Sequence, residues 1–245
     1  AEETVVVEDV TCDVVIVGAG GAGMAAALQA ADLGVENVII VEKTGSTGGN
    51  TSRATGGMNA AKTAAQDKNE WKDATTAAVE KTIAGAKANY PELADLTAKV
   101  EEQFNAYKAN PTGYFDSPEL FALDTMVGGK GINNLDLVMT MVNGSAEAID
   151  WLATKNANLV SVGSFGGASV MRIHRALTAE GKTTPVGAYL VKTLTAGVEA
   201  EGKIDLRTST EATELIVTDG RVTGVKAVQY DGTEVTAHAT KGVIL

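Results

Sequence analysis

The run Gly18-Ala19-Gly20-Gly21-Ala22-Gly23 constrains this chain most, because of the segments on either side of it. Ahead of it, Asp13-Val14-Val15-Ile16-Val17 is apolar and β-branched, the pattern of a strand buried in a parallel sheet. Behind it, Met24 to Leu33 is rich in Ala and Leu, which predicts a helix that stops at Gly34. Asn37-Val38-Ile39-Ile40-Val41 reads as a second buried strand, closed by Glu42. A glycine triplet alone marks only a turn. Strand, helix, second strand and acidic residue in register make it a dinucleotide-binding fingerprint. Gly18 permits the tight turn, Gly20 lets the backbone approach a pyrophosphate, and Gly23 lets helix and strand pack closely. The free amides at the helix start face the phosphate charge. Glu42 stands about 20 residues beyond the last glycine, where a carboxylate accepts hydrogen bonds from ribose hydroxyls.

The next segment narrows the choice of dinucleotide. A nicotinamide-binding unit would go on to another apolar helix and strand. This chain continues instead with Lys43-Thr44-Gly45-Ser46-Thr47-Gly48-Gly49-Asn50-Thr51-Ser52-Arg53-Ala54-Thr55-Gly56-Gly57-Met58-Asn59, which has no apolar periodicity and two Gly-Gly pairs. Such a loop can lay its backbone along an extended ligand and donate N–H groups without side-chain clash. A flexible linker has the same composition. A linker, however, rarely follows directly on a ribose-binding strand, and long loops inside compact domains usually have a function.

The stretch from Asp13 to Ala60 resembles the flavin-binding start of the fumarate reductase and succinate dehydrogenase flavoproteins, above all the soluble flavocytochrome c-type fumarate reductases. Thr47-Gly48-Gly49-Asn50-Thr51 and Thr55-Gly56-Gly57-Met58-Asn59-Ala60 are similar to the signature loop of that branch. Gly163-Ser164-Phe165-Gly166-Gly167-Ala168-Ser169-Val170-Met171-Arg172-Ile173-His174-Arg175 is similar to a second segment of it. The chain departs from the family after His174-Arg175, where Ala176 to Pro185 replaces a proline and several glycines. The resemblance implies FAD, held by the backbone of Gly18, Ala19, Gly20, Gly21, Ala22 and Gly23 and by Glu42, Lys43 and Thr44. It extends the site to Thr47, Gly48, Gly49, Asn50, Thr51, Thr55, Gly56, Gly57 and Ala212, and places Phe165 and Gly166 near a substrate.

The implied activity is reduction of a C=C bond in fumarate or a related unsaturated carboxylate. Hydride comes from the flavin, and electrons come from a haem, FMN or quinol-linked domain or protein. The family's proton-donating arginine and its carboxylate clamp lie in later segments, so no catalytic residue carries over to a position here. The resemblance therefore implies the first half of an FAD-binding domain spanning 1–245. The capping domain is expected to be absent from it, and the chain to be inactive alone. Two readings stand beside it: a flavin-dependent dehydrogenase or oxidase of the same fold, and a flavin-binding electron-transfer module without its own substrate.

Composition bounds these expectations. A chain of 245 residues, 44% of them apolar, can bury a sizeable core. The net charge of −11 argues against nucleic acid or an anionic membrane as partner, though not against an anionic substrate in a locally basic cleft. No stretch approaches the about 20 apolar residues of a membrane span. The one cysteine, Cys12, forms no internal disulfide and reads as a buried strand residue; with only two histidines, no metal site is expected. Ala1 in place of Met points to processing or trimming, and leaves the bacterial cytoplasm and the cell envelope both open.

The remaining elements follow from periodicity. Asn69 to Ala88 reads as a helix with Trp71, Ala74, Ala78 and Ile83 inward. Pro91 opens another, with a stripe of Leu93, Leu96, Val100, Phe104 and Tyr107. The region of about 69–120 reads as a helical insertion, packed as a surface subdomain. Ser117-Pro118 is a helix start, and one helix is expected over about 136–154, burying Leu137, Val138, Met141, Ile149, Trp151 and Leu152. Ile204 to Arg207 reads as a parallel strand after a helix carrying Tyr189, Leu190, Leu194 and Val198. Ala212–Thr218, Val222–Tyr230 and Thr233–Ala239 form a three-stranded antiparallel meander turning at Asp219-Gly220 and Asp231-Gly232. Gly242 to Leu245 begins a further buried strand, where the chain is expected to break off as a fragment. The fold class is thus α/β: a Rossmann-like domain with a parallel sheet, a meander and a helical insertion. His174 is assigned a structural or flavin-proximal role ahead of a catalytic one, and His238 a surface position.

Overall fold

The structure, a computed structural model, describes residues 6–164 and 166–245. In chain order its strands and α-helices are β1 (Val7–Val17), α1 (Gly21–Asp32), β2 (Val38–Val41), β3 (Met58–Asn59), α2 (Asp73–Asn89), α3 (Ala94–Ala109), α4 (Pro118–Gly128), α5 (Leu135–Asn143), α6 (Ser145–Thr154), β4 (Ser161–Gly163), β5 (Ile173–Arg175), α7 (Val186–Ala200), β6 (Ile204–Arg207), β7 (Thr210–Thr218), β8 (Arg221–Gln229) and β9 (Glu234–Ile244). They form two compact units, one of the residues up to Thr55 together with Gly187–Leu245, the other of Gly56–Val186. No helix among the described residues is long and apolar enough to cross a membrane.

The first unit is built on a six-stranded sheet of order β6-β2-β1-β9-β8-β7. β6, β2, β1 and β9 run parallel, and β7, β8 and β9 form the antiparallel meander. Val38–Val41 is buried at every position, as its continuous apolar run requires. Helix α1 follows from its alanines, and its buried residues Met24, Ala27, Leu28 and Ala31 recur every three or four positions. The meander adds its own apolar face: Val225, Ala227, Val235 and Ala237 cluster with Cys12, Val15, Ile39 and Val41. Each Val or Ile so buried contributes about 1.5–3 kcal/mol. Cys12 lies in this cluster as expected, and burial pushes its thiol up to about 11.

One expectation for this unit needs correction. Thr233–Ala239 and Gly242–Leu245 are not two strands, because β9 runs unbroken from Glu234 to Ile244 along β1. The apolar pattern breaks at Thr240-Lys241 because a bulge lies there. Cys12 pairs with Ala239 but Val14 with Gly242, so one extra residue of β9 stands opposite Asp13. Asp13 holds both polar residues of the bulge: Thr240 Oγ1 donates to it at 3.1 Å, and Lys241 Nζ lies at 3.2 Å. The end of the strand is not buried either, since Ile244 and Leu245 are exposed.

The second unit is helical, with a small antiparallel sheet of order β3-β5-β4. Its core joins Val79, Ile83, Val100, Phe104, Leu120, Phe121, Val138 and Val170. Helix α2 turns inward through Val79, Ile83 and Ala86, not through Ala74 and Ala78. Trp71 precedes the helix and packs edge-on against Tyr107, Tyr114 and Phe115. The predicted cap is present: Ser117 Oγ accepts from Leu120 N at 3.0 Å, with Pro118 as the first helical residue. The single helix expected over 136–154 is two, α5 and α6, parted at Gly144. Ser145 Oγ donates to the Val142 carbonyl at 2.7 Å and accepts from Ala61 N–H at 3.1 Å, competing with the helical ladder at the break. Val138, Ile149 and Leu152 are buried as expected and Trp151 is half-buried, but Leu137 and Met141 are 70% and 52% exposed, because α5 turns inward through Val138 and Val142.

A charged node lies inside the second unit. Arg172, 1% exposed, donates through Nε and Nη2 to the two oxygens of Asp116 at 2.9 and 2.8 Å, and through Nη1 to Asp124 at 2.6 Å. Gln66 and Ser117 N–H also donate to Asp116; Thr82, Ser169 Oγ and Ser169 N–H donate to Asp124. Burial works against the guanidinium charge, but the two carboxylates hold its pKa above the ordinary value. Replacing Arg172 with Met would strand both carboxylates, and such losses cost about 3–5 kcal/mol. Arg172→Met is therefore expected to unfold at a clearly lower urea concentration than wild type, monitored by circular dichroism; an unchanged midpoint would refute the node's importance.

His174 is fully buried nearby. Its Nδ1 donates to the Arg172 carbonyl and its Nε2 accepts from Thr63 Oγ1, both at 2.7 Å, the tautomer that satisfies both partners. Burial lowers its pKa. The folded state then resists a proton that the unfolded chain takes up below about pH 6.5, so stability falls as pH drops through that range. Denaturant titrations should therefore show lower stability at pH 5.5 than at pH 7. That slope should flatten in His174→Gln.

Candidate cofactor-binding site

The turn from β1 into α1 holds the first six predicted site residues. Gly18 N–H donates to the Val41 carbonyl at 2.8 Å, which ties the turn to the end of β2. A Cβ on Gly23 would strike the Gly18 carbonyl oxygen, so only glycine lets α1 start this close to the strand. Helix α1 has no side-chain cap at Gly20, and Gly21 N–H donates to Thr51 Oγ1 at 3.2 Å. In front of this helix end the backbone stands open. A Cβ on Gly20 would find its nearest atom, the Gly48 carbonyl oxygen, at 4.0 Å, and beside Gly18 and Gly49 there is nothing within 4 Å. The result is a cradle of peptide groups at a helix N-terminus, where the dipole and first-turn amides favour an anion.

The loop after β2 lines the other side of the cradle. Gly48 N–H donates to the Ala19 carbonyl at 2.8 Å, and Gly20 and Gly48 form an isolated parallel bridge. Gly48 has φ +103, and a Cβ there would press on Val191 of α7 at 2.7 Å, so both conformation and contact require glycine. The segment is not wholly irregular: Gly49–Arg53 forms a 3₁₀ turn, closed by Ser52 Oγ donating to the Gly49 carbonyl at 2.7 Å. Thr47 Oγ1 and Thr195 Oγ1 of α7 share a hydrogen bond of 2.7 Å. Lys43, Asn50 and Thr55 are exposed.

Glu42 is the one buried charge at this site, 9% exposed. Its Oε2 accepts from Ala19 N–H at 2.9 Å, and its Oε1 accepts from Thr44 N–H and Thr44 Oγ1, both at 2.8 Å. Burial alone would raise its pKa; the bonds from Thr44 and Ala19, with Lys43 close by, outweigh it and hold the carboxyl below its ordinary value. A carboxylate has about four acceptor positions. With these donors in place, Oε2 keeps one for a ligand hydroxyl.

The other predicted residues fall elsewhere. Ala212, on β7, packs on the apolar cluster of the first unit. Gly56 and Gly57 open the second unit, where Gly57 lies so tightly against Ile173 and the His174 carbonyl that a Cβ would strike both. Gly166 lines a cleft of about 860 Å³ in that unit, together with Met58, Asn59, Phe121, Asp124 and Met141. Asn59 Oδ1 is buried there without a hydrogen-bond partner. Phe165 lies outside the described residues. His174, locked between Arg172 and Thr63, is a framework residue. His238, half-exposed, sits mid-strand with Nε2 3.2 Å from Asp9. The sequence reading passed over Thr195 and Val191, which back the loop from α7, and over Asp116 and Asp124. A lone acid inside Leu120-Phe121-Ala122-Leu123-Asp124 is a legible sign of a buried charge in need of a partner.

Comparison with known proteins agrees with this geometry. A family model described as "FAD binding domain" matches residues 13–102 and 103–245. The chain is 35% identical over 262 residues to the NADH:acrylate oxidoreductase of Vibrio harveyi, covering 96% of this chain and 24% of that protein. It is 37% identical over 216 residues to the fumarate reductase (cytochrome) of Shewanella frigidimarina, covering 88% of this chain and 29% of that protein. Among solved structures, the open conformation of a flavocytochrome c3 fumarate reductase aligns with a TM-score of 0.68 at 29% identity, over 95% of this chain and 33% of that one. The chain thus spans about a quarter to a third of the length of the relatives it matches. It belongs to the FAD-binding domain family, and its cofactor is FAD.

Proposed function

We propose that this chain is the FAD-holding part of an oxidoreductase that reduces the C=C bond of fumarate or a related small unsaturated carboxylate. The observation that carries the reading is the buried Glu42 carboxylate beside an open, peptide-lined helix N-terminus. Two relatives are named for acrylate and fumarate, both α,β-unsaturated acids. The residues fit FAD: the missing side chains at Gly18, Gly20 and Gly49 leave room for a pyrophosphate, and Glu42 Oε2 keeps an acceptor position for a ribose hydroxyl. When bound, FAD supplies the two-electron chemistry.

The chain's own residues bind and orient. The backbone of Gly18 to Gly23 holds the pyrophosphate, Glu42 holds the ribose, and the loop of Lys43, Thr44 and Thr47 to Thr51 follows the cofactor. Thr55 and Ala212, in the same unit, are proposed as further contacts to the cofactor. No residue here is assigned the proton transfer. The relatives' names differ on the electron donor, one giving NADH and one a cytochrome; for this protein the proposed donor is a haem, FMN or quinol-linked domain or protein.

Two measurements test this. Cofactor released from the natively purified intact protein should have the mass of FAD, and the protein should oxidise reduced viologen when fumarate or acrylate is added; recovery of only a nicotinamide dinucleotide, or no turnover with any unsaturated acid, would sink the reading. Glu42→Ala should weaken FAD binding by roughly ten- to a hundredfold, about 1.5–3 kcal/mol, in flavin-fluorescence titrations. Unchanged affinity would remove Glu42 from the ribose contact.

A further inference from the structure

Glu42 does not hold its place alone. Thr44 gives the same carboxylate oxygen both its amide and its hydroxyl, each at 2.8 Å. The hydroxyl also lies 2.8 Å from the Ser46 carbonyl and has one proton to give; the ionised carboxylate is the stronger acceptor. Thr44 is itself pinned from the far side. Ser209, in the left-handed conformation at φ +52, donates its N–H to the Thr44 carbonyl at 2.9 Å, while Thr210 N–H donates to the Glu42 carbonyl at 2.8 Å. Glu42 N–H donates in turn to the Arg207 carbonyl at 2.8 Å. The segment from Arg207 to Thr210 therefore grips both residues by the backbone. What remains free is the Thr44 side chain, and it is spent on Glu42.

We infer that Thr44 is a positioning residue for FAD: its hydroxyl fixes the orientation of the Glu42 carboxylate and keeps it ionised, so that Glu42 meets the ribose without first being ordered. This rests on the proposed FAD reading. Thr44 touches the cofactor's ligand, not the reacting atoms. The hydrogen bonds favour the charged carboxylate over its acid form, so losing one raises the pH at which Glu42 takes up a proton and ceases to accept from a ribose hydroxyl. Lys43 is the charged neighbour that acts in the same direction. Arg207, on the adjoining β6, turns its guanidinium to Glu8 and Asp205 instead.

The test is FAD titration of the cofactor-free intact protein by flavin-fluorescence quenching, from pH 4 to pH 8. Thr44→Val keeps the shape and the amide but not the hydroxyl. It should raise the Kd about three- to tenfold at pH 7, and move the acid limb of the affinity profile upward by about half to one pH unit. Thr44→Ser, which restores a hydroxyl, should return both to within twofold of wild type. In a Glu42→Ala background, Thr44→Val should cost nothing further, because its effect passes through that carboxylate. A Thr44→Val protein with wild-type affinity and an unmoved acid limb overturns the proposal, as does an equal loss in the presence and absence of Glu42. Wild-type protein that takes up no FAD overturns the cofactor reading and this inference together; wild-type binding with an indifferent Thr44→Val overturns this inference alone.

Discussion

Glu42 is the point at which the first unit is tied together. Its side chain reaches back to the Ala19 amide in the β1–α1 turn, and its own amide and carbonyl bond across to Arg207 and Thr210. Three chain segments far apart in sequence thus meet at one residue at the end of β2. A carboxylate this deeply buried would be costly if unpartnered, and the Ala19 and Thr44 donors remove that cost. The same bonds hold the mouth of the cradle open before any ligand arrives, so binding need not order it.

The second unit is organised on the same physical principle with the sign of charge reversed. Arg172 is fully enclosed, and Asp116 and Asp124 neutralise and orient it. Through their remaining lone pairs the two acids reach Gln66, Ser117, Thr82 and Ser169, so one ionic node fixes the approach to β5, the start of α4 and the body of α2. Replacing such a network with apolar residues can be neutral, whereas removing one member is not. What it fixes here is the register of β5, and with it Gly57 packed against Ile173 and His174.

The sequence was most legible where function acts through the backbone. Gly18 to Gly23, the buried strands, the alanine-rich helix and the Ser117 cap are local signals, each with one cheap conformational solution. The Asp219-Gly220 turn was legible for the same reason, with both residues at positive φ. The errors came where a local pattern is broken by a distant partner. Thr240-Lys241 reads as an end of strand, because nothing local reveals that Asp13 will accept a bulge opposite itself. The run 136–154 reads as one helix, because the Ala61 amide that captures Ser145 lies far away in sequence. Leu137 and Met141 share helical spacing with the buried pair Val138 and Val142, and only the packing of α5 decides which row turns inward.

A site built from peptide groups and empty Cβ positions has a consequence for how its function can change. Its contacts to a pyrophosphate would come from peptide groups and depend on glycine: a side chain at Gly18, Gly20 or Gly49 would fill the room for the ligand, and one at Gly21, Gly23 or Gly48 would collide with the protein itself. Graded tuning is then left to the few side chains that act on the cradle's polar groups: Glu42, Thr44, Thr51 on the Gly21 amide, and the Thr47–Thr195 pair that braces the loop against α7. Of these, Glu42 alone carries charge, so its surroundings are the lever through which pH and sequence can adjust the grip on the cofactor without disturbing the fold beneath it.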